Sequence, residues 1–306
     1  MGNRVVFTES PRRTWRLPLQ YTHYLDTGVL RRRARSLPHS PLRHIAYTSG
    51  MAFVELIAGA RRSEQEFRVR RAAANAVFLA ELPIDWQFPE AKIACAYPQL
   101  RAKFDIFETR CASLETLVQV FRSSKTLNEF TKRANNLGMP ENIAYFERFD
   151  EEYGVDYLHS ARQMARESRK LFDPAAEPVR ALGLPPSVSH AEYMRTFRGS
   201  ELHRLAMRYA VATAIGELQG LSYEQGYDAY FTSYDHSIDA YLAALGWWNI
   251  EHALGREPNR NDAMDLAHLL YLVRDGTLVT TDRSFANCAT QAGIPCHGPD
   301  SLVAGA

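Results

Sequence analysis

The chain has 306 residues, of which 46% are hydrophobic and 23% charged, and its formal net charge is +1. That is an ordinary composition for a soluble globular protein, with room for one large domain or two modest ones. Overall charge is excluded as a guide to nucleic-acid or membrane binding, and no apolar run is long enough to span a bilayer. Arg far outnumbers Lys, a bias that suits bidentate phosphate contacts and that codon usage explains equally well. Cys95, Cys111, Cys288 and Cys296 form no C-x-x-C pair, and the basic N-terminus lacks the apolar core of a signal peptide. The cysteines are therefore expected to be free thiols in a reducing, cytoplasmic setting, not a zinc site or a disulfide frame.

Residues 1–17 read as an irregular segment containing Arg and Pro. Tyr21 to Leu25 is β-prone and ends at Asp26, followed by Thr27-Gly28 and a basic run of Arg31, Arg32, Arg33 and Arg35. This order puts the carboxylate at a strand's C-terminal end, the edge where open parallel sheets bind ligands. For Asp26 alone a turn aspartate is the simpler reading. Ile45 to Thr48 is a second strand candidate, and Ser49 a plausible N-cap for the helix GMAFVELIAGA. Glu55 lies in that helix between Phe53, Val54, Leu56 and Ile57. A carboxylate in such company needs a partner, which Arg61 or Arg62 could supply. A basic helix runs from Ser63 to Glu81, Leu82 to Asp85 is a third strand candidate, and Trp86 to Pro98 a loop and short helix.

From about Gln99 to Leu254 helical patterns dominate: Leu100 to Phe121, Glu141 to Phe172, Ala191 to Leu218 and Tyr223 to His252. Breakers such as Gly138-Met139-Pro140 and Gly183-Leu184-Pro185-Pro186 separate them. The aromatic residues Tyr227, Tyr230, Phe231, Tyr234, Tyr241, Trp247 and Trp248 are most simply helix-packing core, with a base-stacking surface as the rarer alternative.

Asn259 to Phe285 reads as helix, turn, strand and carboxylate. Asn259 or Asn261 can cap the helix. Apolar positions recur from Met264 to Val273, and Asp275-Gly276 breaks the pattern. Asp262 and Asp265 lie three apart near the helix start, so both can point the same way; helix-dipole stabilisation explains such a pair equally well. Thr277 to Thr281 is a short strand candidate and Asp282 follows it. Cys288 to Gly293 reads as a helix and Ile294 to His297 as a last short strand.

In chain order, then, an acid follows the first strand (Asp26 in YLDTGVL), one lies in the helix after the second (Glu55 in SGMAFVELIAG), one opens a late helix (Asp265 in DAMDLAHLLYL), and one ends the next strand (Asp282 in LVTTDRSF). This resembles the PIN-domain family of metal-dependent ribonucleases. Glu55-Leu56 with Gly59 is similar to the family's second motif, and Thr280 with Asp282 to its last. The family's Asn after Asp-Thr is Gly28 here. The third motif falls on Asp265, from which the apolar helix runs directly, with Asp262 as a supporting carboxylate. The resemblance covers residues 18–98 and 257–300. It implies an α/β fold, a small parallel sheet flanked by helices, with residues 99–256 as a large, mainly helical insertion.

Clustered carboxylates raise each other's pKa unless a cation sits among them. A hard divalent ion suits such a site, so Mg²⁺ or Mn²⁺ is expected on Asp26, Glu55, Asp265, Asp282 and Asp262, with Thr27 and Thr280 in support. His268 is better explained by packing or a contact to a ligand than as a zinc ligand, and His23 would face the other side of the sheet. The resemblance implies endonucleolytic hydrolysis of single-stranded RNA; the acids themselves would serve DNA equally well. Arg31, Arg32, Arg33 and Arg283, with Arg35, Arg68, Arg70 and Arg71 beyond them, are candidates for phosphate contacts, although for any one of them a solvated surface residue is the simpler reading. The rivals are a non-catalytic PIN-like RNA-binding or scaffold protein, a structure-specific DNA nuclease, and a helical interaction protein whose four acids do not converge. No membrane partner is expected. Self-association stays open, as does a protein inhibitor, which the sequence does not indicate.

Overall fold

The computed structural model describes residues 20–96, 106–137, 237–253 and 256–299, with isolated helical positions at 158, 159, 162, 166 and 225. Five short strands form one all-parallel sheet: β1 (His23–Leu25), β2 (Ala46–Ser49), β3 (Ile84–Asp85), β4 (Thr277–Val279) and β5 (Cys296–His297), in the spatial order β3-β2-β1-β4-β5. The α/β class is as expected. His23 pairs with Ala46 on one side and Thr277 on the other, and Leu25 lies opposite Val279, so β1 and β4 end level. Every residue of β2 is buried, as in a sheet covered on both faces.

Nine helices are described: α1 (Thr27–Arg33), α2 (Gly50–Ala60), α3 (Glu64–Leu79), α4 (Pro89–Ala96), α5 (Ile106–Ser123), α6 (Leu127–Asn136), α7 (Asp239–Ala253), α8 (Arg260–Leu269) and α9 (Arg283–Gln291). Polar side chains start six of them. Asp26, Ser49, Ser63, Thr126, Asn259 and Asp282 each accept a backbone N–H of the first turn. Two of these caps shift the expected boundaries. Asp26 turns the Thr27-Gly28 stretch into the start of α1, and Asp282 starts α9 at Arg283, before Cys288. Helix α8 ends sooner than its apolar pattern. Leu270, Tyr271 and Leu272 each donate to the carbonyl three residues back, so the chain tightens while the same face stays buried. Asp275, at φ 60°, then makes the turn into β4.

Helix α2 is the centre of the core, with nine of its eleven residues buried. Helix α3 packs along it, and Phe67 of α3 meets Phe121 of α5 edge-on at 5.4 Å, with Phe130 of α6 at 5.3 Å from Phe121. Helix α7 lies on α8 and α9 and buries Trp247 and Trp248. The segment 99–256 was expected to be an insertion in, or a lobe upon, the α/β core. Its described ends share one continuous hydrophobic core with the sheet helices, since their apolar faces cover α2, α3, α8 and α9. The helices expected at 141–172 and 191–218, the aromatic residues Tyr227, Tyr230, Phe231 and Tyr234, and residues 1–17 lie outside the described residues, save the isolated helical positions named above. Tyr241, Trp247 and Trp248 are core, as the packing reading had it. Cys288 and Cys296 are free thiols.

Arg70 locks α3 to α2. Its side chain is nearly buried, with Nε 2.8 Å from Glu66 Oε2 and Nη1 donating to the Glu55 carbonyl at 3.1 Å. Gly59 makes the space: a Cβ there would stand 2.1 Å from the Arg70 guanidinium carbon. Gly59→Ala should therefore destabilise the fold by roughly 2 kcal/mol, the scale of charge-assisted hydrogen bonds lost from a buried cation. In an Arg70→Ala background the same change should instead be neutral or stabilising, through the better helix propensity of Ala. Urea unfolding of the four proteins reads the sign; equal losses in both backgrounds would remove this role for Gly59.

Candidate active site

The strand order creates a switch point. From β1 the chain moves to β2 and β3 on one side, then returns to β4 and β5 on the other. The connections therefore diverge from the carboxyl ends of β1 and β4, which is where open α/β sheets form a ligand crevice. Asp26 follows β1 and Asp282 follows β4. Thr280 joins them: its hydroxyl donates to Asp26 Oδ2 and accepts the Asp282 N–H at 3.0 Å. Asp26 Oδ1 takes the Val29 N–H at 2.8 Å. Asp282 Oδ1 takes the N–H groups of Ser284 and Phe285 at 2.7 and 3.0 Å, which leaves its Oδ2 without a donor among the described residues. Asp26 is buried and Asp282 exposed.

Glu55 reaches the same edge from α2. Its Oε2 accepts from the Thr27 hydroxyl and from His268 Nε2 at 2.9 Å. On the far side of the ring, Nδ1 lies 2.6 Å from the Tyr24 hydroxyl, which lies 2.7 Å from Ser49 Oγ. This buried chain, Ser49–Tyr24–His268–Glu55–Thr27, links β2, β1, α8, α2 and α1. Burial pushes the Glu55 carboxyl up, but His268, Thr27 and Arg70 together bring it below its ordinary value. Burial pushes the His268 imidazole down, yet Glu55, Asp26 and Asp265 more than reverse that.

Asp265 sits one turn before His268 on α8, three residues apart and so on one face. It has no hydrogen-bond donor among the described residues. Burial raises its pKa well above normal, Asp282, Glu55 and Asp262 add to the rise, and only His268 opposes them. Asp26 is raised by burial too, with Glu55 adding, against hydrogen bonds from Thr280 and Val29 and the charge of His268. Asp26, Glu55, Asp265 and Asp282 thus share one electrostatic neighbourhood. Among the described residues, no three His, Cys, Asp or Glu side chains stand close enough to form a ready-made metal cage. The carboxylate oxygens of these four acids are of the type that a hard divalent cation takes as ligands.

Other expected residues have different work. Asp262 was expected to support a metal. It instead completes the capping box of α8: Oδ2 accepts the Asn259 N–H at 3.0 Å, and Oδ1 accepts from Asn259 Nδ2 and Arg256 Nη2, each at 2.8 Å. Arg70 and Arg71 were expected at phosphates but bond the Glu55 and Ser124 carbonyls. Arg31, Arg32 and Arg33 form the last turn of α1, about 10 Å along the helix from Asp26 at 1.5 Å per residue. Arg31 pairs with Glu66 at 3.6 Å, Arg33 is half-buried, and Arg32 is exposed. Arg283 is exposed and next to Asp282. Gly28, where the resemblance leads one to expect Asn, lies under Thr281, whose Oγ1 would be 2.6 Å from a Cβ there. Tyr24 and Ser49 were not foreseen as parts of the site. Ser49 was legible only as a cap, and Tyr24 as a strand residue. Packing or a contact to a ligand was expected of His268; it is buried and touches Glu55, and the chain beyond it was not foreseen.

Comparison with protein-family models, with curated proteins and with solved structures finds no match to this chain. No described helix is long and apolar enough to cross a membrane.

The Glu55–His268 pair gives stability a defined pH dependence. The depressed Glu55 contributes fully above its unfolded value of 4.5, and the contribution is lost as pH falls through the lower folded value. The raised His268 contributes fully below 6.5 and loses its contribution as pH rises through the higher folded value. Asp265, also raised, adds a loss of the same sign that begins above its own unfolded value of 3.8. Urea unfolding across pH should therefore show stability falling as pH rises above 6.5. The double variant Glu55→Gln/His268→Gln should flatten that fall, and adding Asp265→Asn should flatten the fall that starts in the acid range. An unchanged slope above 6.5 in the double variant would contradict the pairing.

Proposed function

We propose that this chain is a PIN-like, metal-dependent nuclease that hydrolyses phosphodiester bonds, with single-stranded RNA cut internally as its substrate. The observation that carries the reading is Asp265, a poorly solvated carboxylate with no donor among the described residues, set among three other acids at the switch point of a parallel sheet. Such a group is costly unless a cation comes to it. When bound by Asp26, Asp265, Asp282 and Glu55, Mg²⁺ or Mn²⁺ would supply Lewis-acid polarisation of a phosphoryl oxygen and a more acidic water.

The protein's own part is to hold the acids still. Thr280 and the Val29 N–H fix both oxygens of Asp26. The first turn of α9 fixes one oxygen of Asp282. Thr27 and His268 fix one oxygen of Glu55, and Tyr24 with Ser49 fixes the ring of His268. Positions locked in this way meet the requirement for preorganised groups around a reacting phosphate. The exposed Arg283 lies next to Asp282, where it can contact a bound phosphate. A second reading, a non-catalytic PIN-like binding module, draws on the engagement of Glu55 by His268 and Thr27 and on the lack of a closed cage among the described residues.

Labelled single-stranded RNA and DNA incubated with Mg²⁺, Mn²⁺ or EDTA distinguish these readings. The nuclease reading expects metal-dependent cutting of RNA that falls by about a thousandfold or more in Asp265→Asn, since several kcal/mol of barrier lowering would be lost. It also expects Mg²⁺ or Mn²⁺ to raise the Tm of the wild type and not of the variant. Without metal, Asp265→Asn should be more stable than the wild type at neutral pH, because it removes a charge that burial and its neighbours disfavour. No cutting and no metal-induced rise in Tm would leave the binding module.

A further inference from the structure

Charge is unevenly placed on this chain. Residues 27–80 hold ten arginines, no lysine and three acids, Glu55, Glu64 and Glu66, in a protein whose overall net charge is only +1. The fold brings three of these arginines together around Glu66. Helices α1, α2 and α3 pack against one another. Arg31 at the end of α1, Arg62 just past the end of α2 and Arg70 of α3 all lie close enough to lower the pKa of Glu66. The acids in this group are already engaged. Glu66 is bridged by Arg70 and Arg31, Glu64 pairs with Arg68 at 3.5 Å and accepts the Leu127 N–H, and Glu55 belongs to the acid site. Arg32, Arg35 and Arg62 are exposed and make no ion pair among the described residues.

This surface is continuous with the acid site through α1. Asp26 caps the helix at one end, and Arg31 and Arg32 lie on the stripe that starts at Gly28, with Arg35 in the turn beyond. The seven residues of α1 span about 10 Å, or about three stacked nucleotides at 3.4 Å per step. Guanidinium groups in place of ammonium suit bidentate grasp of phosphate oxygens.

We infer that Arg32, Arg35 and Arg62 form a track that holds the sugar–phosphate backbone of a single-stranded nucleic acid on the side of α1, leading its chain away from the acids. The inference rests on the phosphodiester reading of the acid site for its direction, but its test needs no cleavage. Such a track grips phosphates and not base edges, so it adds affinity without adding sequence preference.

The experiment is fluorescence anisotropy of a short labelled oligo-uridine RNA with the full chain in EDTA, between about 50 and 200 mM salt. The triple variant Arg32→Ala/Arg35→Ala/Arg62→Ala should weaken binding by about tenfold or more. Its salt slope should be shallower by about 2, since each phosphate contact on a single strand contributes roughly 0.7. The triple Lys variant should keep most of the salt slope while losing some affinity. Unchanged affinity and slope in the Ala variant would overturn the track, as would an effect confined to anionic vesicles. If the wild type cuts RNA and the Ala variant binds it normally, the track alone is wrong. If the Ala variant loses binding and the wild type never cuts, the track stands and the nuclease reading falls.

Discussion

Glu55 is the constraint around which the fold closes. Its helix is otherwise buried and apolar at nearly every position, and an ionised carboxylate left alone there would cost several kcal/mol. The partner comes from 213 residues away, in His268 of α8. Delivering that imidazole sets α8 against α2, and β4, which follows α8, joins the sheet next to β1. The Tyr24 hydroxyl completes the arrangement by holding the other ring nitrogen from inside β1. One hydrogen-bonded chain therefore ties the early part of the sequence to the late part, and the strand order that creates the switch point accompanies it.

The acids at that edge also serve the fold. Asp26 and Asp282 each satisfy backbone N–H groups that a helix start would otherwise leave unpaired, and Asp26 is stitched to β4 through Thr280. Asp265 is the exception, since it caps nothing and accepts nothing among the described residues. Local choices in a foldable sequence tend to agree with one another, and a residue that breaks the pattern marks a place where stability has been given up for something else. That contrast separates Asp265 from its neighbour Asp262, a carboxylate of the same helix face with both oxygens bonded.

Much of this was legible in the sequence because short parallel strands followed by an acid and a helix cap are local patterns. The five strands and the helices α2, α3 and α8 fall close to where periodicity and breakers put them. The α1 helix was hidden because Thr-Gly after Asp reads as a turn, and only the Asp26 cap and the packing of Val29 and Leu30 make it a helix. The work of Asp262 was present in the spacing Asn259–Asp262, a capping-box pattern that competes with a metal reading of the same acid. What could not be read is contact at long range. Nothing in the chain announces that Arg70 will fill the space left by Gly59, or that Tyr24, Ser49, His268 and Glu55 will meet.

Helix α7 is joined to the site by a similar device. Arg256, just after α7, bridges Glu251 at 3.1 Å and Asp262 at 2.8 Å, while His252 lies 3.7 Å from Asp262. Asp262 in turn caps the helix that carries Asp265 and His268. A buried ion pair of this kind contributes little net stability against an apolar substitute, but losing one partner strands the other's charge. Its effect is thus to fix a geometry more than to add free energy. The position of α8 is set by that clasp at Asp262, one turn before Asp265, which accepts no hydrogen bond among the described residues.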